Sequence, residues 1–238
     1  MILRAYIFHL RARNLSPATV KATEEYLRPF IALHGPLTTS RRDIEVWLGE
    51  MSQRCKPSTV WTSWRHLKGF FKWLHAEGDI TVDPMIGVTK PIVPPSEIPV
   101  LTSSQVRALL ATCCGKDTDS RRDYALIAIM LDTGLRLSEI ARLSIDDVSE
   151  DATLRVFGKG RKWRTVALGT TSATALSRWT RLRTSTSTSL WSGRKGALST
   201  EGIRKVVQRR GLQAGFHNCL TCIPYVGKHN PTTHQSRC

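Results

Sequence analysis

Between Ala125 and Leu168 the chain changes its hydrophobic period twice, and no other stretch limits the possible folds so strongly. The run Ala125-Leu-Ile-Ala-Ile-Met-Leu131 is apolar without a break, as a helix buried on all sides would be. Asp132-Thr-Gly134 interrupts it with a glycine-centred turn, and Arg136-Leu-Ser-Glu139-Ile-Ala-Arg142 restarts a helix that opens with Arg136. The period then drops to two. Leu154 and Val156 alternate on one arm, Val166 and Leu168 on the other, and Gly158-Lys159-Gly160 forms the bend of a β-hairpin. A guanidinium beside the unpaired N–H groups of a helix start is suited to an anion, and Lys159 projects from a hairpin tip. Taken singly, Arg136 could be a surface arginine and Lys159 a solvated turn lysine. Their order and spacing argue together for phosphate chemistry.

Charge supports a nucleic-acid partner, because 35 Lys and Arg against 19 Asp and Glu leave +16. The excess is uneven: residues 1–90 carry 13 basic and 8 acidic side chains, residues 91–150 carry 6 and 9, and residues 151–238 carry 16 and 2. Everything from the hairpin onward forms a basic pole that can neutralise backbone phosphates. A merely soluble basic surface is the alternative.

The length of 238 residues and a 41% hydrophobic content suit two modest domains. No apolar run reaches membrane-spanning length, and Met1-Ile-Leu-Arg4 lacks a signal-peptide pattern. The chain is therefore expected to be cytoplasmic, with no membrane partner and with its six cysteines reduced. In the first domain Ser16-Pro17 starts a helix that ends at His34-Gly35, and a second follows Thr39-Ser40. A third starts after Cys55-Lys-Pro57-Ser58 and runs through Val60, Trp64, Leu67, Phe71 and Leu74 to Gly78. Arg65, Lys68 and Lys72 share one flank of that third helix and are candidate phosphate contacts rather than only a solvated face. Pro91, Pro94, Pro95 and Pro99 mark residues 86–100 as an extended linker. Beyond it, a helix starts at Thr102, and Arg121-Arg122-Asp123-Tyr124 leads into the apolar run. Residues 183–189 read as a polar loop, and Ser199 caps a helix carrying Lys205, Arg209 and Arg210.

The segments Thr133-Gly-Leu-Arg136-Leu-Ser-Glu139 and Gly158-Lys159-Gly-Arg161-Lys162-Trp-Arg164 together resemble the tyrosine recombinase, or phage integrase, family. The resemblance implies a mainly α fold with a small β-hairpin: a helical SAM-like core-binding domain over residues 1–85, the linker, and a partial α+β catalytic domain over residues 101–216. It makes Arg136 the first catalytic arginine, Glu139 its structural support and Lys159 the hairpin lysine at the cleavage point. Arg161, Lys162 and Arg164 become hairpin DNA contacts, beside Arg65, Lys68 and Lys72 of the core-binding domain. In the family a tyrosine attacks a DNA phosphate to give a phosphotyrosyl link without metal or cofactor. The implied partners are double-stranded DNA and other recombinase protomers. The alternatives are a non-catalytic protein occupying recombination sites and an unrelated DNA-binding regulator.

The resemblance stops near Phe216. Residues 217–238 are expected to be an aberrant tail, such as a frameshift or rearrangement would leave. His234-Gln-Ser-Arg237 matches the family's His-x-x-Arg motif formally, but Tyr6, Tyr26, Tyr124 and Tyr225 all precede it, so the expectation is DNA binding without a covalent adduct. Cys219, Cys222 and the nearby His217, His229 and His234 offer zinc-ligand types, but only six residues separate Cys222 from His229, against the wider gap of a zinc knuckle.

Overall fold

A computed structural model describes residues 1–95, 100–158, 162–184 and 186–216, in two compact units, Met1–Ser96 and Glu97–Cys238. Lys159, Arg161 and the whole tail from His217 lie outside the described residues, as do the zinc-ligand types in that tail. The architecture is mainly helical with small antiparallel hairpins.

The first unit contains α1 (Ile2–Ala12), α2 (Pro17–His34), α3 (Arg41–Arg54) and α4 (Pro57–Glu77). Local chemistry sets most of the boundaries. The Ser16 hydroxyl accepts the Thr19 N–H at the start of α2. Ser40 and Asp43 form a reciprocal capping box on α3. Gly78, at φ 81°, ends α4 in the left-handed region. Leu27, Phe30, Ile44, Leu67, Phe70 and Phe71 form the fully buried centre. The sequence pattern left α1 unrecognised. This helix has no side-chain cap, and it is held by packing: Tyr6 meets Phe70 edge-on at 5.2 Å and Trp73 at 5.1 Å. Met85 and Val88 join the same core, so the unit continues beyond the expected limit at residue 85 into the proline-rich stretch.

The second unit contains α5 (Ser103–Ala111), α6 (Thr118–Thr133), α7 (Leu137–Arg142), a short 3-10 turn (Ile145–Asp147), the hairpin β1 (Thr153–Phe157) and β2 (Trp163–Ala167), α8 (Thr170–Leu182), a minimal hairpin β3 (Ser192–Gly193) and β4 (Gly196–Ala197), and α9 (Thr200–Gln213). The unbroken apolar run is the middle of α6. Every residue from Ala125 to Leu131 is buried, with α5, α8 and α9 packed around it. In the β1–β2 register Leu154 pairs with Val166 and Val156 with Arg164. Leu168 falls just beyond β2 and packs partly buried against the core. Among the described residues no helix is long and apolar enough to cross a membrane.

Candidate functional site

Arg136 stands where α6 gives way to α7, and three local devices fix that turn. Gly134, at φ 62°, takes the left-handed conformation and donates its N–H to the Met130 carbonyl at 3.1 Å. The Thr133 hydroxyl accepts the Leu135 N–H at 3.3 Å. Asp132 reaches sideways to accept the Gly169 N–H at 2.7 Å and the Ser172 hydroxyl, which ties the end of α6 to the start of α8. From the other side, the buried Trp191 indole donates to the Ile140 carbonyl at 2.9 Å, and Leu190 N–H donates to the Leu143 carbonyl at 2.8 Å. Short α7 is thus held along its length by tertiary bonds.

Glu139 is the centre of the site. Its side chain is 4% exposed, and the carboxylate accepts the Arg136 backbone N–H at 2.9 Å and the Arg136 Nη1 at 3.2 Å. The Arg164 guanidinium forks onto the same carboxylate at 3.1 and 2.9 Å. Burial alone would raise the Glu139 carboxyl, but the bonds from Arg164 and Arg136 outweigh it and hold the group below the usual carboxylate range. Glu139 in turn raises Arg164. The anion that the α7 start attracts within the chain is therefore the Glu139 carboxylate. Arg136 itself keeps a side chain 64% exposed, with most of its donors directed outward.

Arg164, which the resemblance puts among the DNA contacts, places both terminal nitrogens on Glu139 and keeps a side chain 42% exposed. It is a positioning residue that braces β2 against α7. Gly158 belongs to the same device. A Cβ at that position would stand 2.3 Å from Arg164 Nη1 and 3.3 Å from Glu139 Oε1, so the guanidinium takes the space a side chain would need. Lys162 is exposed, and its carbonyl accepts the Gly158 N–H at 2.8 Å to close the hairpin.

In the first unit Arg65, Lys68 and Lys72 are all exposed on α4, and none forms an ion pair among the described residues. The Arg65 guanidinium lies over the Trp61 ring at 5.3 Å and the Lys68 ammonium over Trp64 at 4.9 Å, so each charge is held against an aromatic face on an exposed side chain. Among the described residues no group of three His, Cys, Asp or Glu side chains is arranged to hold a metal ion.

Sequence reasoning missed a second charged centre. Asp123, fully buried, accepts Arg122 on one oxygen at 3.0 and 2.7 Å, and Arg209 and Arg210 on the other at 2.7 and 2.9 Å. Arg210 also donates to the Thr112 carbonyl at 2.6 Å, so α5, α6 and α9 meet at one carboxylate. The only sequence signal was an acidic residue beside two arginines just ahead of the apolar run of α6. Its partners on α9 lie 86 and 87 positions away.

Comparison with known proteins agrees with this geometry. Residues 99–237 match the phage integrase family, a span that runs across the tail expected to be unrelated. The chain is similar to the tyrosine recombinase XerC of Neisseria meningitidis serogroup C, 31% identical over 250 residues that cover 97% of this chain and 80% of the relative. It is also similar to the tyrosine recombinase XerD of Listeria innocua serovar 6a, 31% identical over 181 residues, covering 72% of this chain and 61% of the relative. The chain thus spans about 61% of the length of the Listeria relatives. In fold it resembles a lambda integrase tetramer bound to a Holliday junction, with TM-score 0.80 and 14% identity over 99% of this chain and 73% of that one. It likewise resembles the Tn1549 transposon integrase in complex with circular intermediate DNA, with TM-score 0.72 and 17% identity over 98% and 89% of the two chains.

Proposed function

Because the chain belongs to the phage integrase family, we propose that it is a site-specific DNA recombinase chain that binds double-stranded DNA and seats one backbone phosphate on Arg136. The observation that carries this reading is the Arg136–Glu139–Arg164 arrangement: an exposed guanidinium set by a buried carboxylate that a second arginine neutralises. Without Arg164, the negative charge of Glu139 would hold Arg136 back from a phosphate. With it, the Arg136 donors that Glu139 does not hold can pair with a phosphate oxygen. Lys159 is the residue to deliver a proton to a leaving oxygen, since an ammonium both donates a charge-assisted bond and can give up its proton. Arg161 and Lys162 on the hairpin and Arg65, Lys68 and Lys72 on α4 are the proposed backbone contacts. The working location is the cytoplasm, and other protomers on the same DNA are the proposed partners.

In the family, a tyrosine downstream of the His-x-x-Arg motif attacks the phosphate. The family match spans His234-Gln-Ser-Arg237, which makes these two residues candidates for that motif. All four tyrosines precede His234.

The test uses duplex DNA carrying a nick near the candidate site. Wild type should retard it in a native gel, and Arg136→Ala should need roughly tenfold more protein, the effect of one lost charge-assisted contact. Failure of wild type to retard any duplex removes the reading. A protein-bound band that survives a denaturing gel and is lost in Tyr225→Phe would make Tyr225 the nucleophile.

A further inference from the structure

The β1–β2 hairpin has two faces, and the proposed site uses only one of them. Leu154 and Val156 are buried in the core on the inner face, and Arg164, paired with Val156, turns to Glu139. The alternation of a strand puts Arg155, Phe157 and Trp163 on the other face. Trp163 is 55% exposed and pairs with Phe157 on the last rung before the bend. A single exposed aromatic needs no explanation by itself. This one is pinned. The Phe157 ring lies 5.1 Å from it and the Arg155 guanidinium stands 4.6 Å over it, while Arg155 is itself tethered to Asp147 at 3.6 Å.

A ring held in this way has already lost most of its rotamer freedom, so a partner stacking on it meets little further ordering cost. The guanidinium over the ring gives the surface a positive field, which disfavours a cationic partner and favours a polyanion. Flat, aromatic and cationic together, the surface fits the deoxyribose and base edges that a duplex presents in its grooves.

We propose that Trp163 is a positioning residue for DNA, packing its open face against the deoxyribose and base edges where the hairpin meets the duplex. The inference rests on the reading that this chain binds duplex DNA, and it adds a contact that carries no charge. That difference makes the two separable. A neutral ring displaces no counterion from a phosphate, so losing it lowers affinity by the same factor at every salt concentration, whereas losing a lysine on phosphate flattens the salt dependence.

The experiment measures duplex affinity across a salt series for wild type, Trp163→Ala, Trp163→Phe and Lys162→Ala, with a melting temperature and an oligomeric state for each. Expected are a roughly tenfold loss for Trp163→Ala with an unchanged salt slope and melting temperature, recovery of most of that loss by Trp163→Phe, and a shallower slope for Lys162→Ala. Wild-type affinity in Trp163→Ala overturns the inference and leaves the DNA-binding reading intact. So does a change of oligomeric state with DNA binding intact, which would make the ring a protein contact. An equal loss in Trp163→Phe, or one matched by a fall in melting temperature, also overturns it. If wild type binds no duplex, both fall together.

Discussion

At the scale of single residues, the features of this chain that carry charge are set by what surrounds them. Arg136 could be read as a cation at a helix start, and Glu139 entered as its partner through the family resemblance; the bond between them is in the structure. The role of Arg164 was not legible. Nothing in a run of basic residues distinguishes one that faces phosphate from one that folds back onto a carboxylate 25 positions away. Gly158 was read as a bend residue, whereas its lack of a Cβ makes room for the Arg164 guanidinium. His66 shows the same dependence on context and gives a measurable consequence. It is buried on α4, stacked on Tyr26 at 5.1 Å, and burial together with repulsion from Arg65 lowers its pKa from 6.5 to about 4. The native state therefore keeps the ring neutral, while the unfolded chain takes up a proton below 6.5. Stability is full above that value and declines as pH falls toward about 4, by at most about 3 kcal/mol. Denaturant melts at several pH values should show this decline in wild type and a flatter curve in His66→Phe, which keeps the stack without the proton. Parallel curves would remove His66 as the cause.

At the scale of elements, caps told the most. Ser16, Ser40, Thr102, Asp117 and Ser199 each accept a backbone N–H at a helix start, and Gly78 and Gly134 end helices in the left-handed region. Helices without such signals escaped notice: α1 and α8 follow N-cap residues Met1 and Gly169 that make no side-chain cap bond, and α8 is set instead by Asp132 from α6. The joint between α6 and α9 was also invisible, because a buried carboxylate and its arginines meet only in three dimensions. It should dominate the stability of the second unit. Asp123→Asn leaves the nearly buried Arg210 without its counter-charge and Arg122 with only the partly exposed Asp119, and is expected to cost about 3–5 kcal/mol. Arg209→Ala, at a side chain 52% exposed, should cost less than about 1 kcal/mol. Denaturant unfolding followed through the buried Trp179 and Trp191 measures both. Similar losses for the two variants would mean that the node is not governed by desolvation.

At the scale of the molecule, the charge count alone overstates what is available to DNA. The excess of +16 treats every cation as equal. Yet in the basic final segment Arg155, Arg164, Arg204, Arg209 and Arg210 are engaged with Asp147, Glu139, Glu201 and Asp123. Arg65, Lys68 and Lys72, in the more weakly charged first unit, form no such pair among the described residues and rest on aromatic surfaces or in solvent. The less basic unit should therefore contribute more to salt-dependent binding than its net charge suggests. Each backbone phosphate neutralised contributes about 0.9 to the slope of log affinity against log salt. A triple Arg65→Ala, Lys68→Ala, Lys72→Ala variant should thus lower that slope by about 2 to 3, while its melting temperature stays close to wild type because exposed charges add little to folding. A matched fall in melting temperature would identify the three side chains as part of the scaffold. An unchanged slope at unchanged stability would move the phosphate grip of this chain entirely onto the hairpin and Arg136.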